Sequence, residues 1–195
     1  MRFDLVRYLT HPQVMIDPSI PVPQWGLSPV GRARVEALVN APWLSSATQI
    51  VSSAERKAVE TAEIVGHRLG VAVETREAMH ENDRSATGFL RPSEFEAVAD
   101  QFFARPHESV RGWERAIDAQ ARIVRESEEV LARQRSGDVL FVGHGAVGTL
   151  LFCHYAGHPI DRVHDQKGGG GNIFAFEKDG RRILHAWRKM EEVEG

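Results

Sequence analysis

A chain of 195 residues with 42% hydrophobic and 26% charged residues can bury one sizeable core, so one domain over residues 1–195 is expected rather than two. Lys plus Arg number 24 against 27 Asp plus Glu, a net charge of -3; without a basic surplus, neither nucleic acid nor an anionic membrane is expected as partner. The single cysteine, Cys153, excludes an internal disulfide, and with no secretory signal visible at Met1-Arg2-Phe3-Asp4 a reducing, cytoplasmic setting is expected.

Phe3 to Leu9 has strand character, followed from Pro12 to Gly26 by a Pro-rich loop that cannot hold a regular element. Ser28 supplies an N-cap with Pro29 at the first helical position, and Val30, Val35, Leu38 and Val39 give a helix its apolar stripe to about Ala41. Thr48 to Val51 is β-prone; Ser52-Ser53 ends that run and opens a helix through Arg68, closed by Gly70. Val71 to Val73 resembles a short strand. Glu77 to Arg91 is polar and aperiodic, the best candidate for an active-site cover, which with the next helix extends to about residue 112.

Helices are expected over Pro92 to Ala104 and Gly112 to Gln134. Asp138 to Val142 then forms a strand leading into Gly143-His144-Gly145, and a helix runs on to about Tyr155. Val139 to Ala156 is the most apolar window, yet it changes from strand to helix character at Gly143, which fits a buried strand and helix and not a membrane span. Two last strands, near Ile173 to Phe176 and Ile183 to Trp187, flank the turn Lys178-Asp179-Gly180. The alternation implies an α/β fold: a three-layer sandwich, its central sheet mostly parallel with helices on both faces.

Three strands end in chemically capable groups: His11 after the first, Ser52-Ser53 with Arg56 after the second, His144 after the Asp138 strand. Ligands of open α/β sheets bind beyond the carboxyl ends of the strands, so these groups should converge. Two histidines, an arginine and a helix N-terminus in one pocket make an anion site, and a neutral imidazole there can act as a nucleophile. A small phosphorylated substrate or inorganic phosphate is the partner such a pocket suits.

The segment Val51-Ser52-Ser53-Ala54-Glu55-Arg56-Lys57-Ala58-Val59-Glu60-Thr61-Ala62 resembles the Ser-Ser-x-x-x-Arg-(x)-Ala-x-x-Thr-Ala signature of the histidine phosphatases, the phosphoglycerate-mutase-like superfamily. Leu27-Ser28-Pro29-Val30-Gly31-Arg32-Ala33 is similar to the family's turn into its first helix, and Val142-Gly143-His144-Gly145 to its second-histidine motif. The resemblance implies a phosphatase working through a phosphohistidine on His11, without cofactor or metal. It implies Arg56 and His144 as phosphate ligands, with His144 positive beside the phosphate, and Glu81 as the acid that protonates the leaving oxygen. His80 is the alternative acid. Ser52, at a helix start, would add a hydroxyl contact.

The first motif departs from the family: Thr10-His11-Pro12 stands where Arg-His-Gly is usual. Aligning Arg7-Tyr8 there instead would put tyrosine at the nucleophile and shorten the strand. With Thr10 at the arginine position of the phosphate site, one charge-assisted contact worth roughly 1.5–3 kcal/mol is missing. Arg7 lies about 13 Å back along the strand, suited to pairing with an acid such as Asp4 or to the sheet face, and Arg91 marks the next helix. Arg84, in the polar loop after Glu81, is therefore expected to supply the charge. A second reading is a phosphatase-like module that binds a phosphorylated ligand without turnover; a mutase is a third, weakened by the short cover.

The remaining features have plainer readings. His67, His107, His164 and His185 are surface or core histidines. His154 and His158 have metal-ligand spacing, but Gly157 and Pro159 should end the helix between them. Gly168 to Gly171 lacks the Lys-Ser/Thr of a phosphate loop and suits a flexible rim. Trp25, Phe89, Phe95 and Trp113 could line a pocket for a moderately apolar ester. No feature specifies an oligomeric state.

Overall fold

The computed structural model describes residues 4–38, 40–134 and 136–193. Its core is a six-stranded sheet in the order β3-β2-β4-β1-β5-β6, built from β1 (Leu5–Thr10), β2 (Ala47–Ser53), β3 (Val73–Arg76), β4 (Asp138–Gly143), β5 (Asn172–Glu177) and β6 (Ile183–Lys189). β1 and β2 both pair parallel to β4, and β2 pairs parallel to β3. β5 runs antiparallel to β1 and to β6, closing the sheet with a hairpin.

Side-chain alternation divides the core in two. Val6 and Tyr8 of β1, Val139 and Phe141 of β4, and Phe174 and Phe176 of β5 face one side, packed under α3 (Pro92–Ala104), α4 (Ala116–Arg133) and α5 (Gly145–Ala156). Leu9, Ile50, Leu140, Val142 and Ile173 face the other, under α1 (Pro29–Leu38) and α2 (Arg56–Leu69). Strands that supply core to both faces are apolar throughout, which gives β4 its unbroken run of buried residues. Cys153 is buried within α5, and no helix among the described residues is long and apolar enough to cross a membrane.

Ser28 caps α1 through its hydroxyl, which accepts from Gly31 N at 3.1 Å. That helix ends at Leu38 rather than Ala41; Val39, and Phe3 at the expected start of β1, lie outside the described residues. β3 begins two residues later than the apolar run Val71 to Val73. Gly70 turns left-handed to cap α2, with Val71 N returned to Gly66 O at 3.0 Å, so the chain is still leaving the helix there. As an edge strand β3 carries the polar residues Glu74, Thr75 and Arg76. α4 starts at Ala116, not Gly112: Arg111 and Gly112 both have positive φ, which stops a helix from beginning there.

Asp138 secures the opposite end of the sheet from the strand carboxyl ends. Its carboxylate accepts from Leu5 N at 3.0 Å, from Arg7 Nη1 at 3.1 Å and from the Ser46 hydroxyl, while the Arg7 guanidinium lies 5.5 Å over the Trp43 ring. Arg7 thus pairs with Asp138, a strand neighbour, and Asp4 lies 3.8 Å from Lys178. Breaking a buried pair leaves an uncompensated charge. Asp138→Ala should cost about 3 kcal/mol in urea unfolding, and a change within about 0.5 kcal/mol, the range of an ordinary surface substitution, would show that the pair carries no weight.

Candidate active site

The parallel strands β1, β2 and β4 end together and place His11, Ser53 and His144 in one cluster. His11 N continues the β1–β4 ladder by donating to Gly143 O at 3.0 Å. Its ring Nδ1 lies 2.9 Å from Pro12 O; a carbonyl only accepts, so Nδ1 carries the proton and Nε2 keeps its lone pair. Burial lowers His11 from 6.5 to about 4, outweighing the Pro12 carbonyl, with Lys57 and Arg84 lowering it further. The imidazole is neutral at pH 7, the form a nucleophile needs.

Behind His11 lies the run Gly168 to Gly171, every residue of which has positive φ. Gly168 and Gly169 are exposed at the rim, whereas the second half of the run is packed: Gly171 N donates to His11 O at 3.1 Å and Arg34 Nη1 to Gly170 O at 3.2 Å. A Cβ at Gly170 would sit 2.3 Å from His11 O, so the turn fixes the His11 backbone from behind.

The His144 ring is 5.3 Å from that of His11, centroid to centroid. The hydroxyl of Tyr8 accepts from His144 N at 3.1 Å and lies 3.3 Å from His144 O. Tyr8 is therefore a buried support for the second histidine, which disposes of the alignment that made it the nucleophile. His144 Nε2 meets Ser53 Oγ at 2.8 Å, and Nδ1 is buried without a partner among the described residues. Burial lowers His144 to about 3 against the opposing pull of Glu55 and Glu81. Desolvation thus outweighs both carboxylates, and the ring is neutral at pH 7 rather than positive as expected.

At the start of α2 the structure separates neighbours. The Arg56 side chain is 62% exposed and pairs with Glu60 at 2.8 Å, whereas Lys57 is 4% exposed and turns inward. Lys57 Nζ donates to Val22 O at 3.0 Å and to the Glu55 carboxylate. Glu55 Oε1 accepts from Glu81 N at 2.9 Å and lies 3.7 Å from His144 Nε2. Burial works against charge on Glu55, but His144 when its ring is protonated, Lys57 and the Glu81 amide outweigh it and hold its carboxyl well below the usual range. On the strand before them, Ser53 and not Ser52 reaches His144; the Ser52 hydroxyl donates to Ser53 O at 2.8 Å. The Thr10 hydroxyl, also among the expected phosphate ligands, donates to Gln166 Oε1 at 2.7 Å and accepts from Asn172 N at 3.0 Å, a buried network away from the pocket cations.

Glu81 stands at the N-terminus of α5. Its Oε1 accepts from Val147 N at 3.0 Å and Asn82 N at 3.1 Å, and its Oε2 accepts only from Ala146 N at 3.2 Å. The backbone leading to it is held by Arg122 of α4, which donates to Ala78 O at 2.8 Å and His80 O at 2.9 Å while pairing with Glu114 at 2.7 Å. Arg84 follows in the loop, with its guanidinium 5.0 Å over Phe95 and 5.7 Å over Trp113 and no ion pair among the described residues. It lines a cleft of about 260 Å³ with Val22, Trp25, Phe89, Leu90 and Phe95. Trp113 stands behind Phe95, 5.9 Å between rings. Neither His11 nor His144 lines this cleft, but two of its residues act on their cluster: the Val22 carbonyl accepts from Lys57, and the Arg84 charge lowers His11. A larger groove of about 470 Å³ between α1 and α2 includes Arg32 and His67 but none of the strand-end residues.

Among the described residues no group of three His, Cys, Asp or Glu is placed to hold a metal ion. Gly157 ends α5 between His154 and His158, and His158 stacks on His164 at 4.4 Å.

A neutral imidazole with a free Nε2, a second imidazole and inward cations at the carboxyl edge of a parallel sheet define an α/β enzyme that handles an oxyanion. The chain belongs to the histidine phosphatase superfamily (branch 1), whose family model matches residues 22–188; the match begins after Thr10-His11-Pro12. A mycobacterial glucosyl-3-phosphoglycerate phosphatase in complex with inorganic phosphate superposes with a TM-score of 0.80 at 19% identity, covering 97% of this chain and 100% of that one. A phosphoserine phosphatase mutant from Entamoeba histolytica with phosphoserine gives 0.78 at 14% identity, over 96% and 98%. Bacillus stearothermophilus YhfR gives 0.76 at 21%, over 94% and 95%. At these identities the likeness is one of fold. No curated protein matches the sequence.

Both active-site histidines are held below their ordinary value of 6.5, to about 4 and about 3, so the unfolded chain binds more protons than the folded one between those limits. Their contribution to stability is complete above pH 6.5 and is lost as pH falls towards 4. Urea midpoints should drop on acidification across this window, and replacing both histidines by Gln should flatten the drop. An unchanged slope would contradict their burial as neutral rings.

Proposed function

We propose that this protein is a phosphoric monoester hydrolase that cleaves a small phosphate monoester through a phosphohistidine on His11, a variant of the family with Thr10-His11-Pro12 for Arg-His-Gly. The observation that carries this reading is the Nδ1 hydrogen bond to Pro12 O, which leaves Nε2 unprotonated at the pocket. The Nε2 lone pair attacks phosphorus, the P–O ester bond breaks, and the electron pair leaves on the alcohol oxygen. Glu81 gives that oxygen its proton; Oε2, with its single longer contact, is the oxygen open to carry it. Water then attacks phosphorus, Glu81 takes the water proton, and the P–N bond returns its pair to His11.

His144, with a buried unsatisfied Nδ1, and Lys57 and Arg84, the inward cations, face the phosphoryl oxygens. The aromatic cleft beside Arg84 receives the alcohol. Inorganic phosphate in the mycobacterial neighbour and phosphoserine in the amoebal one support a phosphoryl ligand here. Binding without turnover is the second reading, favoured by the Thr10 hydroxyl being committed to Gln166 and Asn172.

Incubation with an aryl phosphate should give acid-labile, base-stable labelling that is lost in His11→Ala; a fully active His11→Ala would overturn the assignment, and binding without label or product would establish the second reading. Arg84→Ala should lower kcat/KM about 10- to 1,000-fold, with stability lowered by about 0.5–1 kcal/mol for each lost ring contact. Unchanged kinetics would remove Arg84 from the site.

A further inference from the structure

We propose that Glu55 makes the site selective for a phosphoryl group that still carries a proton, its carboxylate accepting the P–O–H of a monoester monoanion or of hydrogen phosphate. This rests on the reading of the strand-end cluster as a phosphate site and adds the ionic form of the substrate.

Glu55 is the residue before α2, and its side chain turns into the site, 9% exposed. The groups facing it come from each surrounding element: Lys57 from α2, His144 from the β4–α5 junction, the backbone and carboxyl of Glu81 from the loop after β3, and His11 from the loop after β1. One cation, Lys57, is neutralised by Glu55 itself, and both imidazoles are neutral. Arg84 remains as the cation without a carboxylate partner among the described residues.

An oxyanion bonded to Lys57 lies beside Glu55, whose carboxylate shares the Lys57 ammonium and stands 3.7 Å from His144 Nε2. Two anions in contact repel, and at such a pair one proton must be shared between them. Glu55 already accepts one hydrogen bond on each oxygen, but a carboxylate has about four acceptor sites, so a P–O–H can still be received. Hydrogen phosphate carries that proton above neutral pH, and a monoester carries it as the monoanion, below its second pKa of about 6; the monoester dianion has to take one up. Sulfate has none to supply, and its entry requires a proton taken from solvent onto Glu55.

The test is inhibition of aryl phosphate hydrolysis by inorganic phosphate and by sulfate between about pH 7.5 and 8.5. In wild type, sulfate inhibition should weaken about tenfold per pH unit, because one proton is taken up, while phosphate inhibition stays level. In Glu55→Gln the carboxylate is gone, and the phosphate-to-sulfate preference should collapse by about tenfold or more. If Glu55 only holds Lys57 in place, Glu55→Gln weakens both anions equally and the ratio stands, which would overturn the proposal. So would level sulfate inhibition across the pH range in wild type, a measurement that needs no variant to fold. Equal inhibition by both anions with His11 labelling intact defeats this inference alone; inhibition by neither, with no labelling, defeats the phosphate reading beneath it.

Discussion

The carboxyl edge of the sheet is tied together by one buried ion pair, Lys57 with Glu55. Through Lys57 the pair holds Val22 of the first loop; through Glu55 it holds the amide of Glu81 and stands against His144. Three loops that follow different strands are thereby fixed to the start of α2. Two charges this far from water persist only with partners on their remaining donors and acceptors, and the Val22 carbonyl and Glu81 amide are those partners. The geometry of the site follows from meeting that requirement.

As an anion site of the kind proposed, the cluster carries little standing positive charge. Both imidazoles are neutral, the Thr10 hydroxyl is committed to Gln166 and Asn172, and the Lys57 charge is offset by Glu55. Positive charge enters from the side, on Arg84, held between an aromatic wall and the pocket. Selectivity in such a site comes from where protons reside as much as from counting cations.

Most of the architecture could be read from the sequence because β1, β4 and α3 announce themselves by apolar runs, and α1 by its Ser28-Pro29 start. β3 was legible only in part: the apolar run Val71 to Val73 marks a strand there, but Glu74, Thr75 and Arg76 of this edge strand have no apolar pattern to show how far it extends. His11 and His144 were legible from their positions at strand ends. The elastic spacing of the Ser-Ser motif singles out Arg56 and passes over Lys57, whereas Lys57, Ala58, Thr61, Ala62 and Val65 share the buried face of α2 and Arg56 pairs with Glu60 outside it. Strand parity similarly decides between Ser52 and Ser53. Glu55 sat at an unspecified motif position, and Arg122 reaches Ala78 and His80 from α4, a long-range contact that no local pattern encodes.

Arg122 also divides the site mechanically. By gripping the carbonyls of Ala78 and His80 from a core helix it makes the chain up to Glu81 part of the stationary frame, and the α5 amides on the Glu81 carboxylate add to this. Any pivot in the segment that follows must lie beyond Glu81. If Glu81 is the proton donor, as proposed, its place is therefore set by the core helices, whereas Arg84 is placed by its own contacts with Phe95 and Trp113, so the bond-breaking group and the cation that would grip the ligand are positioned by separate parts of the fold.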